Sequence, residues 1–533
     1  MRVETSSPSV NEDAKGVKQR RRRRLPNPGF QSAVAECEYS WLETCSRHAY
    51  ALAPYSRRMS PRDVLILGAG FSKAVHDSMP VLSTLKDRVL EETGLVNDPR
   101  VPSRAFGQSY TFEDWLSTLS EEQPYLSEAE NRSNAALFAQ LRDAIAVVLS
   151  RDEAEAAASG VPRWLDSLVR LLHHHEATVI TLNYDRLIEV ALRRANLKDL
   201  RADNGRMIDD RSAVRDVPPT RLHQSTYLDL GGWTHSATMR LLKLHGSLDW
   251  WMSPRDATGA TLVREELRFD QFGMPIPPSP ADRTRTLTGR EVFLVPPILT
   301  KVAYFTNVVT RELWKNAHQA LSGADLVTIV GYSLPPGDSM MSGLLVSTLQ
   351  RENPAVTVVN PDAAEVAKRA CRLGIGPVAE FSGEACVADY VASYLDRADS
   401  EFRASFLKPS LLNHDPLPLI VSTGSGDHTN LLYRVVKIEP VASDEIVLRT
   451  VKRGNVMQNA ASNESFGDPR ELPTARNLAD SLEGVSRVVV DLDGTPDGLC
   501  RPVRAVPGHS VTGVTPIAAL LIVVPDPAPS RLA

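Results

Sequence analysis

Asp63-Val-Leu-Ile-Leu-Gly-Ala-Gly-Phe-Ser72 is a short β-favouring apolar run that ends in a Gly-x-Gly turn and passes into residues compatible with a helix. The pattern reads as a buried strand turning into a helix. Glycines at such a turn let backbone amides approach a pyrophosphate at the positive end of the helix. Taken alone the turn is weak evidence, since many Gly-x-Gly turns are only tight turns. The third glycine of the dehydrogenase fingerprint is missing, Ala74 lies nearby, and no acidic residue is clearly placed about 20 residues on, so hydride-transfer enzymes fit poorly.

Four further apolar runs repeat the arrangement. Ala177 to Leu182 leads into Asn183-Tyr-Asp185 and then an amphipathic helix through Leu187, Val190, Ala191 and Leu192. Arg240 to Leu244 ends at His245-Gly-Ser247, Ala324 to Val330 at Gly331-Tyr-Ser333, and Ala355 to Val359 at Asn360. Every polar cluster thus falls at the carboxyl end of an expected strand, where ligands bind in an open parallel sheet. The fold class expected is α/β, a Rossmann-like parallel sheet with a helical insertion. The insertion spans Phe112 to Leu149, where Trp115, Leu116, Leu119, Leu137, Leu141, Ile145 and Val148 recur at helical spacing. Loops should dominate between Asp199 and Thr288. After about Ser400 short runs such as Leu431–Val436 and Glu445–Arg449 alternate with Gly, Asn and Asp clusters, which suggests a smaller β-rich C-terminal domain. The expected division is a basic, disordered tail and lead-in over 1–60, a nucleotide-binding domain over 61–405 and a β-rich unit of unknown role over 406–533.

With 533 residues, more than one folded unit is expected; 42% apolar and 23% charged residues are ordinary for a globular chain and leave no room for dominant disorder. A net charge of −5 sets up no global field toward nucleic acid or an anionic membrane. The run Arg20 to Arg24 reads as a solvated arm, with nucleic acid left open as a partner. Five cysteines without a CxxC pair suggest neither a disulfide framework nor a zinc knuckle, and a reducing cytoplasm is the simplest compartment. No apolar h-region opens the chain, and the run Ile517 to Val524 falls far short of the roughly 20 residues a spanning helix needs, so no membrane partner is expected. His173-His-His175 reads as a solvated helix end, because consecutive helical residues point in different directions and no second ligand cluster follows. Val488-Val-Val-Asp-Leu-Asp-Gly-Thr495 imitates a phosphotransferase loop; 38 residues follow it, too few for the later strands such an enzyme needs, and a β-turn at Asp493-Gly494 accounts for it.

As a set, Gly68-Ala-Gly-Phe-Ser72 with Pro80, Thr181-Leu-Asn-Tyr-Asp185, Lys243-Leu-His-Gly-Ser-Leu-Asp249, Val295-Pro-Pro297 with Lys301, Gly331-Tyr-Ser-Leu-Pro335 and Val358-Val-Asn360 resembles the sirtuin-like NAD-consuming family over about residues 61 to 390. The resemblance implies that Gly68, Ala69, Gly70, Phe71 and Ser72 hold NAD phosphates. It implies that Asn183 positions the attacking water or the ribose hydroxyls, that Asp185 hydrogen-bonds the ribose or nicotinamide, and that His245 is the general base. Val295-Pro-Pro297 with Lys301, together with Gly331, Tyr332, Ser333 and Asn360, would line the rest of the dinucleotide site. Such chemistry needs an oriented nucleophile, a base with a pKa near the working pH, and groups that hold the sugar. The residues also have plainer readings: His245 as a hydrogen-bonded strand-end histidine, and Asn183 and Asp185 as caps of the following helix.

Deacylating sirtuins carry a zinc module built on paired CxxC motifs, and none occurs here, so no zinc is expected. Tyr184 stands where those enzymes usually have isoleucine, and Tyr332 where they have threonine. The pattern is closer to bacterial sirtuin-like domains that hydrolyse NAD, often as effectors of antiviral defence. The expected function is NAD hydrolysis to nicotinamide and ADP-ribose, restrained until a protein activator or homo-oligomerisation acts through the C-terminal unit. Protein deacylation and a non-catalytic NAD or ADP-ribose sensor are the alternatives.

Overall fold

Five parallel-sheet strands expected from the sequence form, and a sixth joins them. The computed structural model describes residues 62–107, 110–175, 177–195, 227–228, 234–235, 239–254, 256, 258–259, 261–265, 268–269, 275–276, 288–299, 301–376, 378–406, 419–422, 431–455, 475–492, 499–506 and 519–527. In chain order the strands of the first part are β1 (Asp63–Leu67), β2 (Thr178–Thr181), β3 (Arg240–Lys243), β4 (Gly246–Met252), β5 (Val263–Arg264), β6 (Glu291–Leu294), β7 (Leu326–Val330), β8 (Ala355–Val359) and β9 (Val378–Phe381). The helices are α1 (Ala69–Val75), α2 (Leu82–Thr93), α3 (Phe112–Ser120), α4 (Glu128–Ser159), α5 (Arg163–His174), α6 (Leu187–Arg194), α7 (Val308–Ser322), α8 (Ser339–Glu352), α9 (Ala363–Arg372) and α10 (Cys386–Phe406). The sheet runs β9-β8-β7-β1-β2-β3 with every pair parallel. From β1 the chain first moves outward to β2 and β3, then returns to the other side of β1 with β7. The β1/β7 junction is therefore the switch point, where loops diverge and leave a crevice.

Alternation along β1 shows how the layers form. Val64 and Ile66 join one apolar core with α7, α8 and α9, and Leu65 and Leu67 join another with α1, α5, α6 and α10. Both faces are buried, which explains why these strands read as near-continuous apolar runs. The insertion has its own core. Trp115, Leu116, Leu119, Leu137, Leu141, Ile145 and Val148 pack there with Leu248, Leu294 and Ile298. The single periodic stretch is two helices, because residues 121–127 break it and Ser127 starts a capping box with Glu130. In the segment expected to be loops, β4 pairs antiparallel with β5 and β6, and two-residue ladders join Tyr227–Leu228 to Thr234–His235 and Arg268–Phe269 to Pro275–Ile276. Its remainder, like residues 1–60 and the turn at Asp493-Gly494, lies outside the described residues.

The expected solvated end at His173-His-His175 is overturned. His173 and His175 are buried, and His175 Nδ1 lies 3.1 Å from Tyr394 Oη and 3.5 Å from Asp63 Oδ2. Helix α5 ends beneath the sheet, against the start of β1 and the flank of α10, so its last turn faces protein.

The C-terminal β-rich region is a closed barrel of β10 (Leu419–Ser422), β11 (Leu431–Ala442), β12 (Glu445–Asn455), β13 (Arg487–Asp491), β14 (Leu499–Val506) and β15 (Ala519–Pro525), with α11 (Ala475–Ser481) packed on it. The apolar run near the end of the sequence is β15. Its alternation serves two cores: Val523 points into the barrel and Val524 into the apolar core under the sheet. Around that seam Arg501 pairs with Asp396 and Asp526, Ser167 Oγ donates to Pro525 O at 2.6 Å, and the Val488 N–H donates to Asp399 Oδ2 at 3.3 Å.

Two outcomes are expected. Gly331 has φ +62°, and an added Cβ would lie 2.1 Å from Phe71 N; Gly331→Ala should cost about 3 kcal/mol or more in urea unfolding, the sum of left-handed strain and overpacking. Burial pushes Asp399 up to about 7, against the Val488 N–H and the nearby Arg501 and Arg403. The folded state therefore holds this proton more tightly than the unfolded chain does, and stability falls as pH rises between the ordinary carboxylate range and 7. Asp399→Asn should raise the Tm at pH 8.5 and leave it nearly unchanged at pH 4; equal Tm shifts at both pH values would contradict this origin.

Candidate active site

The sheet topology brings the polar clusters to one edge, around a cavity of about 520 Å³. Gly68, Ala69, Gly70 and Ser72 line it from the β1–α1 turn, Asn183, Tyr184 and Asp185 from the end of β2, His245 from the end of β3, Tyr332 and Ser333 from the end of β7, and Asn360 from the end of β8. Phe71 and Gly331, also expected to bind the dinucleotide, are placed differently. Phe71 turns its ring into the core, edge-on to Trp164 at 5.7 Å. Gly331 supports the turn from behind: Gly70 N donates to Gly331 O at 2.9 Å, and Gly68 N donates to Val330 O at 3.0 Å. Both turn glycines are thus explained by close approach of two backbones, and their amides are engaged within the protein.

Asn183 ties the turn to β2. Its Nδ2 donates to Gly68 O at 2.9 Å and to Ser72 Oγ at 2.8 Å, and Ser72 Oγ donates to Asp185 Oδ2 at 2.6 Å. A carbonyl partner demands a donor, so the amide orientation is fixed, and Oδ1 is left to accept from a ligand. Asp185 Oδ1 accepts from Leu187 N at 3.2 Å, so this residue does cap α6, yet its other oxygen belongs to the cleft network. Burial pushes the Asp185 carboxyl up, opposed by Ser72 and by the Lys243 ammonium. Burial pulls Lys243 down, but Glu189 and Asp249 outweigh it and hold the lysine above its ordinary value. Lys243 Nζ donates to Asp185 O at 2.6 Å and to Glu189 Oε1 at 2.8 Å, a bolt beneath the site.

His245 is 6% exposed, between the rings of Tyr184 and Trp314, each 6.4 Å away centre to centre. A ring N–H donates to the Leu182 carbonyl, and Nε2 has no partner among the described residues. The lone pair of a neutral ring is therefore what Nε2 offers. Burial, reinforced by the Lys301 ammonium and only partly opposed by Asp338, pushes the ring pKa down to about 3. Desolvation and a neighbouring cation both penalise the imidazolium, so the ring stands below the range expected of a base tuned near the working pH.

The cleft wall also carries Lys301, whose cluster the resemblance set at the dinucleotide site, and Glu113 and Asp338, to which the sequence reading assigned no role. Lys301 Nζ lies 3.6 Å from Asp338 Oδ1, and Tyr332 Oη donates to Asp338 Oδ2 at 2.9 Å. Between them Leu334 has a φ of +49°, a conformation that costs a non-glycine residue roughly 1–2 kcal/mol and often marks a functional wall. The one sequence signal for Lys301 is its position after Val295-Pro-Pro297. Glu113 and Asp338 sit at helix starts, where an acid usually signifies only a favourable dipole contact. Among the described residues no group of three or more His, Cys, Asp or Glu side chains could hold a metal ion.

No protein-family model matches the chain, and no curated protein does. Among solved structures it is similar to a Sir2 homolog in complex with NAD, at 14% identity over 63% of this chain and 91% of that one with a TM-score of 0.31. A structure described for the mechanism and regulation of Sir2 enzymes is 12% identical over 65% of this chain and 95% of that one, TM-score 0.30. Sir2Tm bound to a propionylated peptide is 11% identical over 65% and 96%, TM-score 0.29. Each is a likeness, and the architecture of this chain is read from its own strand order.

A neutral, deeply shielded ring should not titrate in the ordinary histidine range. In an NMR titration the His245 ring resonances, assigned by comparison with His245→Gln, should stay fixed from pH 5 to 8; a midpoint near 6.5 would show that Lys301 and burial do not control it.

Proposed function

We propose that this protein binds NAD in the strand-end cleft and hydrolyses it to nicotinamide and ADP-ribose. The observation that carries the reading is the pairing of two acceptor atoms without partners among the described residues, Asn183 Oδ1 and His245 Nε2, from residues on the wall of one cavity that also holds the Ser72–Asp185 pair. Breaking the nicotinamide–ribose bond leaves an oxocarbenium-like carbon, and acceptors that grip the ribose hydroxyls or the incoming water place the reactants without adding positive charge. Asn183 then orients through Oδ1, and His245 acts as a neutral acceptor for a sugar hydroxyl. The motif set supports NAD as the substrate. Tyr184 and Tyr332 in the two clusters, and a sequence without CxxC pairs, favour hydrolysis over protein deacylation and support the role of a defence effector. A free NAD hydrolase drains its host, so we assign residues 406–533 as the unit through which an activator or self-association releases activity. Among the described residues no helix is long and apolar enough to cross a membrane.

Incubating the protein with NAD, alone and with cell lysate, and analysing the products tests the reading. Nicotinamide and ADP-ribose should form in equal amounts without an acylated peptide. Asn183→Ala and His245→Ala should each lower turnover by roughly 10² to 10⁴ with folding intact. A requirement for acyl-lysine peptide would establish the deacylase instead, and binding without products the sensor.

A further inference from the structure

We infer that Glu113, supplied by the helical insertion, is the general base that takes the proton of the attacking water, an assignment that rests on the hydrolase reading above. The placement of Glu113 is built by α3. Thr111 caps that helix, with Asp114 N donating to Thr111 Oγ1 at 3.1 Å and Thr111 N to Asp114 Oδ2 at 2.7 Å. Phe112, Trp115, Leu116 and Leu119 bury one side in the insertion core, which fixes the rotation of the helix. One turn on from Glu113, on the same face, Ser117 Oγ accepts from Leu299 N at 2.8 Å. That bond pins Leu299 to the Glu113 face of α3, and Lys301 and Glu113 line the cavity together with Asn183 and His245.

Among the described residues the Glu113 carboxylate has no ion pair within 4 Å and no side-chain hydrogen bond, whereas Lys301 is matched to Asp338 and Asp338 to Tyr332. Asp185 is held by Ser72 and by its helix, and His245 is a poor base for the reason already given. Asp362 also lines the cavity without a side-chain cap bond, but it is exposed to solvent; among the described carboxylates shielded on the cleft wall, Glu113 is the one left free to accept a proton. The groups that face it are Lys301 and Asp338 across the cleft, Asp114 on its own helix, and the Tyr184 and Tyr332 rings. Burial first, then the Asp338 and Asp114 charges, push its carboxyl up, and Lys301 opposes them. A carboxylate raised in this way is a stronger base than an ordinary one.

The step balances with water as the only co-reactant. The water oxygen bonds to C1′ of the ribose, the C1′–N bond breaks with its electron pair passing to the nicotinamide nitrogen, and the water proton passes to Glu113 and then to solvent. Activity should fall on the acid side as Glu113 is protonated, at a pH above the ordinary carboxylate range.

The test compares Glu113→Gln and Glu113→Ala with the wild type in the full chain. Glu113→Gln should lower kcat by roughly 10² with KM for NAD little changed, and should lose the acid limb of the pH profile. For Glu113→Ala, sodium azide supplies an anionic nucleophile that needs no base. It should restore NAD cleavage and yield 1′-azido-ADP-ribose, while leaving the wild-type rate unchanged. A Glu113→Gln enzyme with wild-type kcat and acid limb overturns the assignment, as does a Glu113→Ala enzyme that binds NAD but gains nothing from azide. A wild type that cleaves no NAD overturns the hydrolase reading and this role together, so the two failures are told apart by the wild-type assay.

Discussion

The contact between the β1–α1 turn and Gly331 holds the cleft open and in place. Two parallel strands that lie side by side send their chains to opposite faces of the sheet, and the backbones must cross within contact distance at the point of divergence. A Cβ on Gly68 would lie 2.6 Å from Tyr332 Cα, and one on Gly70 2.8 Å from Gly331 Cα. Removing side chains from this crossing lets the turns interlock through Gly70 N and Gly331 O. Asn183 then clamps the far side of the same turn through Gly68 O. The strand-end residues inherit their mutual positions from this junction, and the surrounding helices serve mainly to bury the sheet.

Charge in the cleft follows from burial as much as from composition. Lys301 and Asp338 meet at 3.6 Å with 6% and 9% of their side chains exposed, so each offsets the other where an isolated charge would be costly. Burial and the Lys301 ammonium leave the histidine uncharged, and the pairing of Lys301 with Asp338 leaves the insertion carboxylate unmatched among the described residues. Under the reading proposed above, this wall offers acceptors to a cationic substrate, which suits a leaving group that departs neutral.

Strands with both faces buried are readable because apolar and β-branched residues dominate them, and the five runs that mark the sheet lie within two residues of the strands formed. What escaped reading depends on partners distant in sequence. Strand β9, of which the side chains of Ala379 and Glu380 are exposed, has an edge position and little apolar signal. The triple histidine looked polar enough for solvent, yet Tyr394, 219 residues away, covers His175. In the site, the residue types at the strand ends were legible, but their protonation was not. Lys301 reaches His245 only through the fold, and nothing local announces that Glu113 belongs to the cleft as well as to a helix start. The placements of Phe71 and Gly331 show the same limit: one motif contains residues facing the cavity and residues supporting it.

Strand β15 joins the two cores residue by residue, and the bond from Ser167 to Pro525 spans 358 positions. A loop of that length closes slowly, because its entropy is lost before its contacts are gained. Until β15 arrives, the apolar surface of α5 and α10 that receives Val524 stays open to water. During synthesis the parallel sheet is thus an unfinished body for as long as the barrel is incomplete. Its maturation is timed by the far end of the chain, and the emerging polypeptide has a long interval in which its sticky flank must be shielded from its neighbours.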